Sequence, residues 1–367
     1  MLKVAIVGCG RIADAHASQI RRIEGCAMVG VCDREALMAR QLCERFEAGR
    51  YFDDLEDLLN EVAPDVVHIT TPPQSHFEIA RVCLERGCHV YVEKPFTLDA
   101  QEAEALIELA MARRLSVTAG HDAQFSHPAR RLRALVRDGY LGERIVHMES
   151  YYGYDLGDPA YARAFLANDS HWVRALPGGL LQNVISHGLA RIAEFFEDER
   201  PRVIAHGFTS PMLGRLGGEG ILDELRVVLA GDSGTTAAFT FSSQMRPVLN
   251  QFRIVGSRNG LLLDEHQQTL VRLRGTAFKS HAERFLPPVI FAREYLGNAL
   301  GNARRFLASD LHMESGKKAL IEAFYRSIRA GGAPPIPFRE ILLTARLMDA
   351  IFEQVGRPVT TAGGARC

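Results

Sequence analysis

The stretch VAIVGCGRIADAH sets Gly8, Gly10 and Ala13 in a G-x-G-x-x-A spacing, directly after an apolar run and at the opening of an amphipathic one. Each small residue has its own use: Gly8 permits a tight turn, Gly10 lets a pyrophosphate approach the backbone, and Ala13 lets a helix pack close to a sheet. The N–H groups of Arg11 and Ile12, at the helix start, would face that anion. Asp33 ends the next apolar run, 20 residues beyond Ala13. A carboxylate there accepts from ribose hydroxyls and repels a 2'-phosphate, so NAD is the expected cofactor, with NADP left open by the guanidinium of Arg34.

Two further runs end in polar groups. DVVHITTPPQSH delivers Thr70, Thr71 and Pro72, with His76 following as a cofactor contact or a helix cap, and CHVYVEKP delivers Glu93, Lys94 and Pro95. In an open α/β sheet ligands lie beyond the carboxyl ends of strands, so these side chains should emerge where cofactor and substrate meet. Burial beside a positively charged nicotinamide would lower the ammonium pKa of Lys94 and let it shuttle a proton or orient a hydroxyl.

The elements that must position these residues alternate regularly up to about residue 120, apolar strand-like runs with amphipathic helical ones, which predicts a parallel sheet with helices on both faces. After about residue 122 the runs become strand-like with Gly-containing turns, punctuated by helices over 180–196, 289–307, 316–330 and 339–355, which predicts an α+β domain with a mostly antiparallel sheet.

Composition narrows the function classes. With 367 residues, 47% hydrophobic and 24% charged, the chain has material for two domains. A net charge of -1 without a dense basic run argues against nucleic acid, and no apolar run is long enough to span a membrane. The start, MLKVAIVGCG, has too short an apolar core for a signal peptide, so a cytoplasmic location is expected. Cys9, Cys26, Cys32, Cys43, Cys83, Cys88 and Cys367 are odd in number and lack ligand spacing, so reduced thiols and no metal site are expected.

Through VGCGRIADAH, VVHITTPPQSHFEIARVCLERGCHVYVEKP, GHDAQFSHPARRLRALVRDGYLGERI and GGLLQNVISHGLARIAEF, the chain resembles the glucose-fructose oxidoreductase, inositol dehydrogenase and MocA (Gfo/Idh/MocA) family of NAD(P)-dependent sugar oxidoreductases. The resemblance covers about residues 2 to 200 and the ending SGKKALIEAFYRSIRAGGAPPIP. It implies a Rossmann domain over 1–121 and a substrate-binding and oligomerisation domain over 122–367 with a large open sheet. Copies would associate as a homodimer or homotetramer.

The resemblance also implies roles. Lys94 becomes the active-site lysine, Pro95 a rigid turn that is often cis, and Glu93 a local anchor or cofactor contact. The family's Asp-x-x-x-His after a Gly-Gly turn falls on Asn183 and His187, four apart on one helix face. His187 matches and suits a base; Asn183 departs from the pattern, can hydrogen-bond a hydroxyl, and cannot carry charge. His121 and Gln124 fall in the stretch joining the domains, and the family's Arg before Phe125 is missing there. His171, Trp172 and Arg174 precede the Gly-Gly turn at positions from which relatives contact sugar or nucleotide groups.

The expected activity is hydride transfer between nicotinamide and a secondary alcohol of a sugar, cyclitol or nucleotide-sugar. Two alternatives are NAD-dependent glycoside hydrolysis, which would release sugar without accumulating NADH, and a non-catalytic nucleotide-binding regulator, for which Asn183 is the best support.

Overall fold

The structure, a computed structural model, describes residues 1–156, 168, 171–218, 220–275, 278–279, 281–311 and 315–356, so Cys367 lies outside the described residues. Six parallel strands form the first sheet: β1 (Leu2–Val7), β2 (Cys26–Cys32), β3 (Arg50–Phe52), β4 (Val66–Ile69), β5 (His89–Val92) and β6 (Val117–Ala119). Their order is β3-β2-β1-β4-β5-β6, so the chain runs outward from β1 in both directions. That reversal opens a crevice at the carboxyl ends of β1 and β4, the place where such sheets bind ligands.

Strand burial explains the continuous apolar runs, since Val4, Ala5, Ile6, Val66, Val67 and Ile69 are all fully buried between helix layers. Helix Arg11–Ile20 turns Ala13 and Ala17 onto the sheet, both fully buried, and these side chains are short enough for close packing. Strand β3 and helix Leu55–Val62 were not anticipated from the sequence. The strand has only three residues, too few for a periodic signal, although Asp54 caps the helix by accepting from the N–H groups of Glu56 and Asp57.

The second sheet has seven strands: β7 (Ile145–Gly153), β8 (Arg202–Phe208), β9 (Glu224–Ala230), β10 (Thr236–Ser242), β11 (Asn250–Gly256), β12 (Asn259–Asp264) and β13 (Thr269–Arg274). Their order is β13-β12-β11-β7-β10-β9-β8, antiparallel except for the β7–β10 pair. Met148, Phe239, Phe241, Phe252 and Ile254 pack on one face with residues of helices Ser186–Phe195 and Phe338–Val355.

Two helices differ from the sequence expectation. The helix expected over 180–196 is two, Gly179–Val184 and Ser186–Phe195, with a break at Ile185. The helix expected from Val289 begins at Ala282 and carries Pro287 and Pro288 inside it. Each proline removes one intrahelical N–H donor, a loss that water can offset on the exposed side of this helix, where Phe285 and Val289 stand 69% and 65% exposed.

Helix Ser315–Ala330, late in the chain, returns to the first domain. Its Leu320, Ile321, Phe324 and Tyr325 belong to the same core as β1, β4 and β5.

Candidate active site between the two sheets

The Gly-rich turn has the geometry its residues suggest. Gly8 sits at φ +94, and a Cβ there would lie 2.6 Å from the Thr71 backbone nitrogen, so both conformation and space demand glycine. At Gly10 an added Cβ would meet nothing within 4 Å, which leaves an open cradle at the start of helix Arg11–Ile20. No side chain caps that helix, so its first N–H groups, including those of Arg11 and Ile12, are available to an anion.

Beside the cradle lies a cavity of about 600 Å³ lined by Gly8, Gly10, Asp33, Arg34, Thr71 and Pro72 among others. Asp33 is held firmly in its wall, since Cys9 N donates to Oδ2 at 2.6 Å and Glu35 N to Oδ1 at 3.0 Å. Asp53 and Asp54 line the same cavity, two carboxylates that sequence alone did not single out, and they add to the negative field around Arg34. The residues present fit the adenosine ribose and pyrophosphate of NAD.

His76 and Glu93 are placed behind this cavity rather than in its wall. His76 is fully buried between two loops, with Nδ1 2.9 Å from the Pro95 carbonyl and Nε2 2.9 Å from the Thr71 carbonyl, and its one N–H in the neutral state donates to one or other of them. Glu93 is 4% exposed, and its Oε1 lies 2.7 Å from His16 Nε2 and 2.8 Å from Lys317 Nζ. Burial alone would raise the Glu93 pKa, but Lys317 and His16 hold it well below the ordinary carboxylate value.

The chain of contacts continues inward. His16 Nδ1 lies 2.8 Å from His68 Nδ1, and His68 Nε2 lies 2.7 Å from the Tyr325 hydroxyl. Since Glu93 can only accept, His16 donates from Nε2 and accepts at Nδ1, His68 donates from Nδ1, and Tyr325 donates to His68 Nε2. Every member is satisfied with both histidines neutral, in keeping with burial, which lowers the pKa of each.

Lys94 precedes a cis bond to Pro95 and reaches the second domain, where Nζ donates to the Asn183 carbonyl at 2.9 Å and lies 3.5 Å from its Oδ1. Burial lowers its pKa, opposed by Glu93 and Asp122. The turn before Asn183 depends on small residues: a Cβ on Gly178 would fall 2.5 Å from the Phe352 ring, and Gly179 takes φ +54. Its glycines thereby set helix Gly179–Val184 against Lys94.

His187 lines a second cavity of about 490 Å³, large enough for a sugar-sized molecule, together with Asp122, Tyr152, Arg191, Glu265 and Lys317. Its ring stacks on Tyr152 with centroids 5.7 Å apart, and His121 approaches at 6.4 Å. Burial, then Lys94, pulls the His187 pKa down to about 3, and burial pulls His121 down to about 4. Both imidazoles are therefore neutral at neutral pH and resist taking up a proton.

Not every sequence candidate converges here. Gln124 turns away, donating to Glu194 Oε2 at 3.0 Å and the Ala190 carbonyl at 3.3 Å. Trp172 stacks on His171 with centroids 5.8 Å apart and stands 37% exposed, and its carbonyl accepts from Gln74 Nε2 at 2.8 Å beside the cofactor cavity. Arg174 N donates to the His171 carbonyl within the same short turn. Asp122, which stands with His121 and Gln124 in the stretch joining the domains, lines the second cavity, and Tyr152, Arg191, Glu265 and Lys317 enter it without having been singled out. Arg191 had a local signal, four residues after His187 on the same helix; Lys317 had none. Among the described residues no group of three metal-ligating side chains is poised for a metal ion, and no helix is long and apolar enough to cross a membrane.

A Rossmann sheet with an NAD cradle, facing a second cavity on an open antiparallel sheet, defines a two-domain nicotinamide-binding oxidoreductase fold. Residues 2–121 match the description "Oxidoreductase family, NAD-binding Rossmann fold", and residues 129–262 match "GFO/IDH/MocA C-terminal domain". The chain belongs to the Gfo/Idh/MocA family.

Among its relatives, D-glucoside 3-dehydrogenase of Escherichia coli (strain K12) is 35% identical over 145 residues, covering 39% of this chain and 41% of that protein. The chain thus spans under half the length of that relative. Myo-inositol 2-dehydrogenase of Thermotoga maritima is 22% identical over 275 residues, 74% of this chain and 78% of that protein. The crystal structure of WlbA dehydrogenase from Bordetella pertussis, in complex with NADH and UDP-GlcNAcA, superposes with a TM-score of 0.74 at 16% identity, covering 96% of this chain and 95% of that one.

Proposed function

We propose that the protein is an NAD-dependent dehydrogenase that oxidises a secondary alcohol of a sugar, cyclitol or nucleotide-linked sugar. The observation that carries this reading is the meeting of Lys94, at the end of the NAD-binding sheet, with the helix pair that bears Asn183 and His187 beside a sugar-sized cavity. Relatives named for glucoside and inositol oxidation support the substrate class.

The residues divide the work. Gly10 and the helix start hold the pyrophosphate, while Asp33 accepts from the ribose. NAD, when bound, supplies the hydride acceptor. Lys94 donates a hydrogen bond to the substrate hydroxyl oxygen and stabilises charge that develops on it. His187 takes the hydroxyl proton as the carbon loses hydride. Asn183 holds Lys94 in place with its two oxygens, and Tyr152 backs the His187 ring.

The outer face of the seven-stranded sheet leaves Ile204 and Val228 at 69% and 52% exposure, which supports association of copies as a homodimer or homotetramer. Light scattering after gel filtration tests that, and a cytoplasmic location belongs to the same proposal.

The deciding experiment is nicotinamide reduction with NAD+ and separately NADP+ over hexoses, uronic acids, inositols and nucleotide sugars, with Lys94→Ala beside the wild type. Turnover abolished in the variant supports the reading. Release of sugar from glycosides without net NADH would overturn it in favour of hydrolysis, and cofactor binding without turnover on any of these compounds would overturn the substrate class.

A further inference from the structure

His187, in the wall of the second cavity, resists protonation, because the imidazolium would be partly desolvated and repelled by the Lys94 ammonium. Turnover by the dehydrogenase reading, on which this inference rests, therefore needs a negative charge near the imidazole. Asn183 cannot supply it: it is neutral, and both its oxygens face Lys94.

Two carboxylates line the His187 cavity, Asp122 and Glu265. Glu265 is committed elsewhere, since its oxygens accept from Arg191 Nη2 at 3.1 Å, Ser126 Oγ at 3.1 Å and Gln268 Nε2 at 3.0 Å. Asp122 is different. Its Oδ2 pairs with Lys317 Nζ at 3.1 Å, and its side chain keeps 25% exposure in a cavity wall shared with His187. The backbone is clamped as well, because a Cβ on Gly316 would lie 2.4 Å from the Asp122 carbonyl oxygen.

Lys317 serves both Asp122 and Glu93, at 3.1 and 2.8 Å, so one ammonium faces two carboxylates and the trio keeps a net negative charge. We propose that Asp122 is the carboxylate that stabilises protonated His187 during turnover, and that Lys317 is the residue that positions it. The hydroxyl O–H bond breaks, an N–H bond forms on the imidazole, and Asp122 stays ionised throughout. Asp122, Tyr152, Arg191, Glu265, His266 and Lys317 share the cavity wall with His187, while Lys94, His121 and Glu93 act on it from the strand end and the domain connection. Of the carboxylates among them, Asp122 opposes the effect of burial and Lys94 more strongly than Glu93 does.

The test separates this inference from the dehydrogenase reading by measuring the imidazole directly. In full-length Lys94→Met protein the repelling ammonium is gone, and histidine-labelled NMR titration follows His187, assigned by comparison with a His187→Gln chain. Adding Asp122→Asn should lower its midpoint by about one pH unit. Equal midpoints, or a His187 that stays neutral down to about pH 4.5 in both proteins, would overturn the inference. Asp122→Asn leaves Lys317 paired with Glu93, and a thermal melt checks that the fold persists.

Turnover provides the second arm. Asp122→Asn should lower kcat about 100-fold with KM little changed, and adding Asn183→Asp, which puts a carboxylate on the helix that precedes the one bearing His187, should recover part of the loss. Absence of turnover in the wild type would count against the dehydrogenase reading alone, since the titration stands by itself. Unchanged kcat in Asp122→Asn, with an active wild type, would overturn the inference.

Discussion

Lys317 Nζ lies 2.8 Å from Glu93 Oε1 across 224 residues of sequence, joining the residue before Lys94 to a helix near the end of the chain. Both side chains are almost wholly buried, at 2% and 6% exposure. The pair fixes the base of the Lys94 loop from below, while Asn183 holds its tip from the other domain.

Removing one partner should be far worse than removing both. Lys317→Met leaves Glu93 and Asp122 facing each other without a cation and should cost about 3–5 kcal/mol in urea unfolding, because an uncompensated charge stays buried. Lys317→Met with Glu93→Gln should recover most of that. The Glu93 pKa is depressed in the fold, so its contribution is present above ~4.3 and fades as pH falls through the folded value; the Lys317 pKa is raised, so its contribution is present below ~10.4 and fades as pH rises through the folded value. Equal losses in the single and double variants would refute the pairing argument.

Gly8 and Gly10 should separate stability from binding. Gly8→Ala forces a side chain into φ +94 and onto Thr71, and is expected to lower unfolding stability by about 1–3 kcal/mol. Gly10→Val has room in the protein but fills the cradle, so it should melt near the wild-type temperature while NADH affinity, read by fluorescence titration, drops at least about tenfold. A normal NADH affinity in Gly10→Val would show that the cradle is not where the pyrophosphate lies.

Asp33, in the wall of the cofactor cavity, should carry the choice of cofactor. Asp33→Ala should weaken NAD by about tenfold, roughly 1.4 kcal/mol, and let Arg34 meet a 2'-phosphate, so the NAD/NADP ratio of kcat/KM should fall. Because Cys9 N loses its 2.6 Å acceptor, Asp33→Asn, which keeps an oxygen there, is the companion variant. A ratio unchanged in both would shift the discrimination to Asp53 and Asp54.

Four interior histidines, His16, His68, His76 and His121, and the cavity-lining His187 all have lowered pKa values, with burial the leading cause in each. The unfolded chain takes up their protons near ~6.5, whereas the fold resists until much lower pH, about 4 for His121 and about 3 for His187. Stability should therefore fall as pH drops below about 6.5, by up to about 1.4 kcal/mol per pH unit for each histidine. Urea midpoints from about pH 7.5 to about pH 5 check this, and a flat profile would contradict it.

Much of the first domain was legible because its signals are local. Gly8, Gly10 and Ala13 are close neighbours in sequence, Asp33 ends the next strand, and apolar runs as regular as VVHI and HVYV leave little room for another sheet. The antiparallel character of the second sheet was legible in its period-two strands and Gly turns, although the parallel β7–β10 pair leaves no trace in either strand. The wall of the second cavity was not legible, because it joins Asp122, Tyr152, Glu265 and Lys317 from four separate elements. Their residue types are ordinary one by one, and only tertiary packing makes them a set. Glu93 shows the same limit in reverse: its place at a strand end marked it as important, but nothing nearby in sequence announced that its partners would be His16 and Lys317.

The late return of helix Ser315–Ala330 to the first sheet has a bearing on how the protein is made. As the chain leaves the ribosome, the nucleotide-binding half emerges complete in sequence while its Glu93 still lacks a counter-charge and the surface later covered by Phe324 and Tyr325 is bare. Translation must proceed from residue 121 to Lys317 before that counter-charge is supplied. A fragment ending at residue 121 would lack Lys317, Phe324 and Tyr325, so the nucleotide-binding part should be less stable alone than within the whole polypeptide.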